Sequence, residues 1–238
     1  MKTTLLRQVV AEFLGTGFLV AAVVGSGVMG ERLAGGNVAI ALLANTVATG
    51  SALVALILTF GPISGAHLNP AVTVADAIEK GVTWTAAACY VPAQCLGAIA
   101  GAITAHIMFQ LPVISISRHV RSGSAQVFSE FVATFGLLCV IWGCSRSRSG
   151  MVPFAVGAYI TAAYWFTSST SFANPAVTLA RSLSDTFSGI RPMDAPPFLI
   201  AQFFGAIAAT FFFRCLVPGL MTGANKVLLA HDRREPSA

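Results

Sequence analysis

The chain has 238 residues, of which 55% are hydrophobic and only 10% charged, and its mean hydropathy is +0.77. A soluble globular domain carries about 25% charged residues, so the composition excludes intrinsic disorder, an ordinary soluble enzyme and a basic nucleic-acid-binding face, and places the chain in a lipid bilayer. The formal charge of +5 comes from 14 basic residues spread between apolar blocks, a pattern that sets membrane topology.

A membrane helix needs about 20 mainly apolar residues, and the first such stretch covers 8–29. Lys2 and Arg7 precede it as they would in a signal peptide. No small-residue cleavage site leads into a soluble domain, so this stretch is expected to stay in the membrane as a helix. A second span covers 37–60, followed by a short apolar segment at 69–79 that opens Asn69-Pro70-Ala71-Val72-Thr73. Spans at 84–109, 126–145 and 151–169 follow, then a second short segment at 174–185 that opens with the same five residues, and a sixth span at 196–218. At 1.5 Å per residue each short segment makes about 17 Å of helix, roughly half the hydrocarbon thickness. They are predicted to be half-helices.

Six spans put both termini on one face. With that face cytoplasmic, nine basic residues lie inside and five outside, which predicts cytoplasmic termini. The five cysteines (Cys89, Cys95, Cys139, Cys144, Cys215) sit in apolar segments without CxxC spacing. They are expected to be small packing residues, with no disulfide, metal site or cofactor.

The chain repeats itself. Residues 11–16 match 129–134, Asn69 to Thr73 match Asn174 to Thr178, and Gln94 with 97–100 matches Gln202 with 205–208, at offsets of 118, 105 and 108. Each half holds three spans, an odd number, so the halves must be inverted relative to each other. Inverted repeats with broken helices place a solute site near the bilayer midplane. Asn is a preferred N-cap and Pro a preferred first helical residue, so Asn69-Pro70 and Asn174-Pro175 each start a half-helix. Their positive dipole ends then meet at the centre and oppose cations, and each capping amide keeps N–H groups free for the cavity. The approaches, 61–68 and 167–173, are Gly- and Ser-rich, and irregular backbone at that depth is tolerated where it lines a wet path.

Ser64 to Thr73, the second Asn-Pro-Ala and the duplicated Glu12 and Glu130 closely resemble the aquaporin and aquaglyceroporin (major intrinsic protein) family over essentially the whole chain. The resemblance implies an all-α membrane fold of six spanning helices plus two re-entrant half-helices, a passive pore in each protomer, and a homotetramer in the cell (inner) membrane. The channel domain would cover 1–225, with a polar cytoplasmic tail at 226–238. It also implies that Asn69, Pro70, Ala71, Asn174, Pro175 and Ala176 form the pore's half-helix caps. Gly65, Ala66, His67, Leu68, Phe172 and Ala173 would line the path, with Glu12 and Glu130 supporting the loops.

Counting back from the two motifs, the family's outer filter falls on Thr49, Ala162, Ser171 and Val177, with Val177 where the family usually has Arg. Arg brings five N–H donors and a fixed charge; Val brings neither, so a wide, uncharged, amphipathic opening is expected. Glycerol, undissociated metalloid acids such as arsenite, methylated arsenicals and water are the solutes this implies. The small filter is similar to that of the nodulin-26-like branch and to rhizobial aquaglyceroporins associated with arsenic resistance. Arg181, one turn beyond Val177, is expected at the membrane interface or a subunit contact, and His106 and His119 in interfacial and loop positions. A water-selective pore, a proton-coupled secondary transporter using Glu12 and Glu130, and an intramembrane enzyme are the alternatives. The transporter would need ion ligands in the spans, and the enzyme a nucleophile with a base near it, neither of which the sequence displays.

Overall fold

A computed structural model describes residues 3–217. The described residues form eight α-helices: α1 (Leu5–Leu33), α2 (Val38–Ser64), α3 (Pro70–Ile78), α4 (Trp84–Met108), α5 (Ser124–Ser147), α6 (Val152–Phe166), α7 (Pro175–Arg181) and α8 (Ala195–Leu216). Two single 3₁₀ turns precede α6 and α8. Six helices correspond to the expected spans, and α3 and α7 to the half-helices. The expected tail at 226–238 lies outside the described residues.

Five of the helices are long and apolar enough to cross a membrane. The exception is α6, with 15 residues, or about 22 Å of helix. It stops before the expected 169 because Thr167 turns extended, at ψ 139°, where a run of Thr and Ser offers the backbone other partners. The irregular segment 167–173 then carries the chain inward to the start of α7.

The two repeats pack in the same way. In the first, α1 lies against α4 and α2; in the second, α5 lies against α8 and α6; and α2 joins α6 across the middle. Close approach depends on glycine. A Cβ on Gly17 would meet the Gly97 carbonyl at 3.2 Å, and one on Gly205 the Phe131 carbonyl at 2.6 Å, so these glycines let α1 approach α4 and α8 approach α5. Phe204, Phe211 and Phe212 point outward, while Phe203 and Phe213 pack partly against the core. Four cysteines are half-buried and Cys215 is exposed, so the last of them is not the buried packing residue expected.

On the face where the described chain starts and ends, Glu79 at the end of α3 accepts from Arg146 of α5 at 3.0 Å and from Arg214 of α8 at 2.6 Å. Arg214 also donates to the Ile78 carbonyl at 3.2 Å. Two cations thus sit at the negative end of the half-helix dipole and fasten it to the second repeat. On the opposite, far face, segment 109–123 lies over segment 182–194. Ser117 N–H donates to Ser182 at 3.0 Å and Arg191 N–H to His119 at 2.8 Å. His106 is not interfacial as expected: it is fully buried, 2.8 Å from Ser184 Oγ and 3.0 Å from the Val113 carbonyl, because this lacing covers the end of α4.

Candidate functional site

Each half-helix starts as its sequence dictates. Asn69 Oδ1 accepts from Ala71 N–H at 2.9 Å, and Asn174 Oδ1 from Ala176 N–H at 3.0 Å and Val177 N–H at 3.3 Å. Pro70 and Pro175 occupy the first helical position. Pro70, Ala71, Pro175 and Ala176 are buried behind these caps rather than facing a cavity.

Ahead of each Asn the backbone is forced into an unusual shape. Ala66 and Leu68 have φ of 47° and 50°, and their counterparts Ser171 and Ala173 have 47° and 46°. Left-handed backbone costs a non-glycine residue roughly 1–2 kcal/mol, so something must hold it. In the first repeat that is Glu12, whose carboxylate accepts from His67 N–H at 3.0 Å, Leu68 N–H at 2.7 Å, Gln94 Nε2 at 2.8 Å and Ser64 Oγ at 2.6 Å. In the second it is Glu130, which accepts from Phe172 N–H at 2.9 Å, Ala173 N–H at 2.8 Å and Gln202 Nε2 at 2.7 Å. Gln94 and Gln202 in turn donate to Thr73 and Thr178 on the half-helices, at 2.8 and 2.9 Å. Both glutamates are fully buried and occupied as acceptors. Gly65 does not face the cavity; with φ 93° it terminates α2.

The two loops are also tied to each other. Asn69 Nδ2 donates to the Ala173 carbonyl and Asn174 Nδ2 to the Leu68 carbonyl, each at 2.7 Å. One N–H of each amide is therefore spent across the pseudo-two-fold axis, and one is left for the cavity that both asparagines line.

That cavity runs lengthwise between the repeats. One side is apolar, formed by Leu19 and Val23 of α1, Leu137 and Ile141 of α5, Leu53 and Ile57 of α2, and Val156 and Ile160 of α6. The other side is the pair of loops, where Ala66, His67, Leu68, Phe172 and Ala173 bring backbone polar groups to the path. Thr49, Ser171 and Val177 all line it.

Ala162 does not line it. It is exposed on the outer side of α6, and Tyr164 faces the cavity in its place, donating its hydroxyl to Thr49 Oγ1 at 3.3 Å. Counting back from Asn174 assumed a fixed length for segment 167–173; a two-residue error is about 200° of helix, enough to reverse the face. Arg181 also departs from expectation. It is neither interfacial nor a subunit contact but 1% exposed, and it lines the cavity. Its Cζ sits 3.4 Å from the centroid of the Phe172 ring, and its Nε donates to the Ser188 carbonyl. Arg121 stands 5.0 Å from the same centroid, with its Nε donating to the Gly189 carbonyl at 2.8 Å and its Nη1 to the Ser169 carbonyl at 3.1 Å. On the far-face loop, His119 is held below the ordinary histidine value, first by burial and then by the charges of Arg121 and Arg181.

The repeat relates this end to the other. At an offset of 105 residues, His67 corresponds to Phe172 and Asp76 to Arg181. His67 Nε2 lies 3.3 Å from Asp76 and Nδ1 3.1 Å from Thr73 Oγ1, so the ring is held between α3 partners. Tyr90 meets His67 edge-on at 5.7 Å, as Phe198 meets Phe172 at 5.4 Å. Sequence reasoning missed Asp76, Tyr90 and Tyr164; the repeat offset was the signal for the first.

An inverted repeat, two half-helices meeting head-on and a lengthwise cavity between them define a pore-type multi-pass membrane protein. Sequence comparison agrees: the profile of the family described as Major intrinsic protein matches residues 1–171 and 147–234. The chain is 55% identical to Aquaglyceroporin AqpS of Rhizobium meliloti (strain 1021), over 90% of this chain and 91% of that protein. It is 31% identical to Aquaporin NIP1-4 of Oryza sativa subsp. japonica, over 89% and 77%. Its fold superposes on the crystallographic aquaglyceroporin of Plasmodium falciparum with a TM-score of 0.73 at 23% identity, covering 92% of this chain and 99% of that one. The chain belongs to the major intrinsic protein family, whose members are channels for small neutral solutes and water.

Proposed function

We propose that this chain is a passive channel, not an enzyme, for glycerol-sized uncharged solutes: glycerol, undissociated metalloid acids such as arsenite, methylated arsenicals, and water. The observation that carries the reading is the amphipathic cavity, in which Val177 replaces a cation-bearing position and apolar walls face a strip of hydroxyls and backbone polar groups. A polyol or hydroxylated acid has the same two faces, carbon on one side and hydroxyls on the other. The name of the rhizobial relative, an aquaglyceroporin, supports this substrate class.

In this reading the protein resides in the inner cell membrane with both termini cytoplasmic and assembles as a homotetramer. Residues 1–225 form the channel and 226–238 a polar cytoplasmic tail, and the filter consists of Thr49, Tyr164, Ser171 and Val177. A water-selective pore is the second reading, favoured by the bulk of Tyr164 where a smaller residue was expected. Light scattering from proteoliposomes under water and glycerol gradients, with arsenite uptake in parallel, separates the two. The parent should pass glycerol and arsenite, and Val177→Arg should cut both more than water. Fast water flux with no glycerol or arsenite entry, unchanged by the substitution, would establish the water-selective reading instead.

A further inference from the structure

The geometry points to Arg181 as the specificity-determining cation of this pore, supplying from the next helical turn the charge and N–H donors that Val177 lacks. This rests on the channel reading above. Four residues separate Arg181 from Val177, so both project from one side of α7, and Arg181 stands about 6 Å further along the helix toward the far face.

Three observations carry it. Arg181 is almost fully buried yet lines the same cavity as Thr49, Tyr164, Ser171 and Val177, so its exposure is to the path rather than to bulk solvent. Its Nε is committed to Ser188 and its guanidinium plane to Phe172, while its two Nη groups have no hydrogen-bond partner among the described residues. Those are the donors a solute oxygen would meet, and the Ser171 hydroxyl, buried without a partner on the same cavity, is a second polar group awaiting one. Finally, no carboxylate among the described residues forms an ion pair with Arg181.

The comparison between the two ends sharpens this last point. At the equivalent position of the first repeat the charge is Asp76, and it is paired with His67. At the second the aromatic partner is Phe172, which orients a guanidinium by stacking but does not neutralise it. The path therefore carries a net fixed positive charge at one end only. A guanidinium there donates hydrogen bonds to the oxygens of neutral hydroxylated solutes and raises the energy of hydronium and metal cations. Arg121 stands near the same ring but does not line the cavity, and its Nε and Nη1 donate to Gly189, Ser169 and Thr170; it positions the loop and is not the pore cation.

The test uses the full chain in proteoliposomes carrying a pH-sensitive dye, with proton leak read under a potassium diffusion potential and glycerol and water flux read in the same vesicles. Arg181→Gln retains a donor for Ser188 but no charge, and should raise proton leak by about tenfold or more while glycerol still passes. Adding Val177→Arg to Arg181→Gln should return the leak toward the parent value. Arg181→Lys should keep the leak low but shift the glycerol-to-water ratio by about threefold or more, since an ammonium on a flexible stem lacks the planar fork. Should Arg181→Gln fail to reconstitute, the Lys variant decides alone: an unchanged ratio overturns the proposal. Parent-like leak with intact glycerol flux in Arg181→Gln also overturns it, as does a Lys variant that leaks like Gln. A parent that passes no glycerol overturns the channel reading itself, and this proposal with it.

Discussion

Replacing Glu130 by Gln should release the second re-entrant loop while leaving the spanning helices in place. The carboxylate accepts three hydrogen bonds, from Phe172 N–H, Ala173 N–H and Gln202 Nε2. An amide of the same shape keeps one acceptor oxygen. If that oxygen takes the place of Oε2 it still serves Ala173 and Gln202, and its NH₂ group faces the Phe172 N–H. Hydrogen bonds to a charged group contribute about 1.5–3 kcal/mol each, so losing one costs at least about 1.5 kcal/mol. The loop gains a further incentive to leave, since Ser171 and Ala173 are held in left-handed backbone that relaxes on release. At about 1.4 kcal/mol per tenfold, amide hydrogen exchange at Phe172 and Ala173 should accelerate by about tenfold or more. Exchange in α5 and α8 should stay as it is, because local opening does not require global unfolding. Glycerol flux should collapse in parallel. Exchange and flux both within about twofold of the parent, the scatter of independent sites, would refute the idea that Glu130 holds the loop.

Two further outcomes follow from the geometry. Tyr164→Ala should raise glycerol flux relative to water, whereas Ala162→Leu should leave both within about twofold; the reverse pattern in scattering assays would restore the position counted from the motif. Gly205→Leu would drive a side chain into the Phe131 carbonyl, 2.6 Å from where its Cβ must lie. Overpacking of this kind costs about 1–3 kcal/mol or more, and the detergent-solubilised protein should melt correspondingly lower.

What sequence revealed and concealed follows the range of the physics involved. The starts of α3 and α7 were legible because capping by Asn and the preference for Pro at the first helical position act within three residues. The inverted repeat was legible because its matched segments are ordered and the spans in each half are odd in number. The pore's apolar walls follow from the spans themselves. Ala162 was misplaced because its register had to be carried through segment 167–173, whose irregular backbone has no fixed rise or rotation. Arg181 was misread for a different reason. Its helical spacing put it on the face of Val177, but a charge one turn nearer the interface reads as solvated until Phe172 and Ser188 are seen to hold it. The shared role of Gln94 and Gln202 depended on contacts 82 and 72 residues away in sequence, which the repeat marked without explaining.

The reciprocal bonds from Asn69 to Ala173 and from Asn174 to Leu68 bear on how the molecule is assembled. Each amide needs a carbonyl made about a hundred residues away, so neither loop can reach its final shape while only the first repeat has left the ribosome. In addition, α3 rests on α8, and α7 on α1 and α4. The first half must therefore wait in the bilayer with Asn69 and the Leu68 carbonyl unmatched, and the second half supplies both partners at once. Conduction is then a property of the finished chain alone, and a truncated first repeat would insert without ever opening a path.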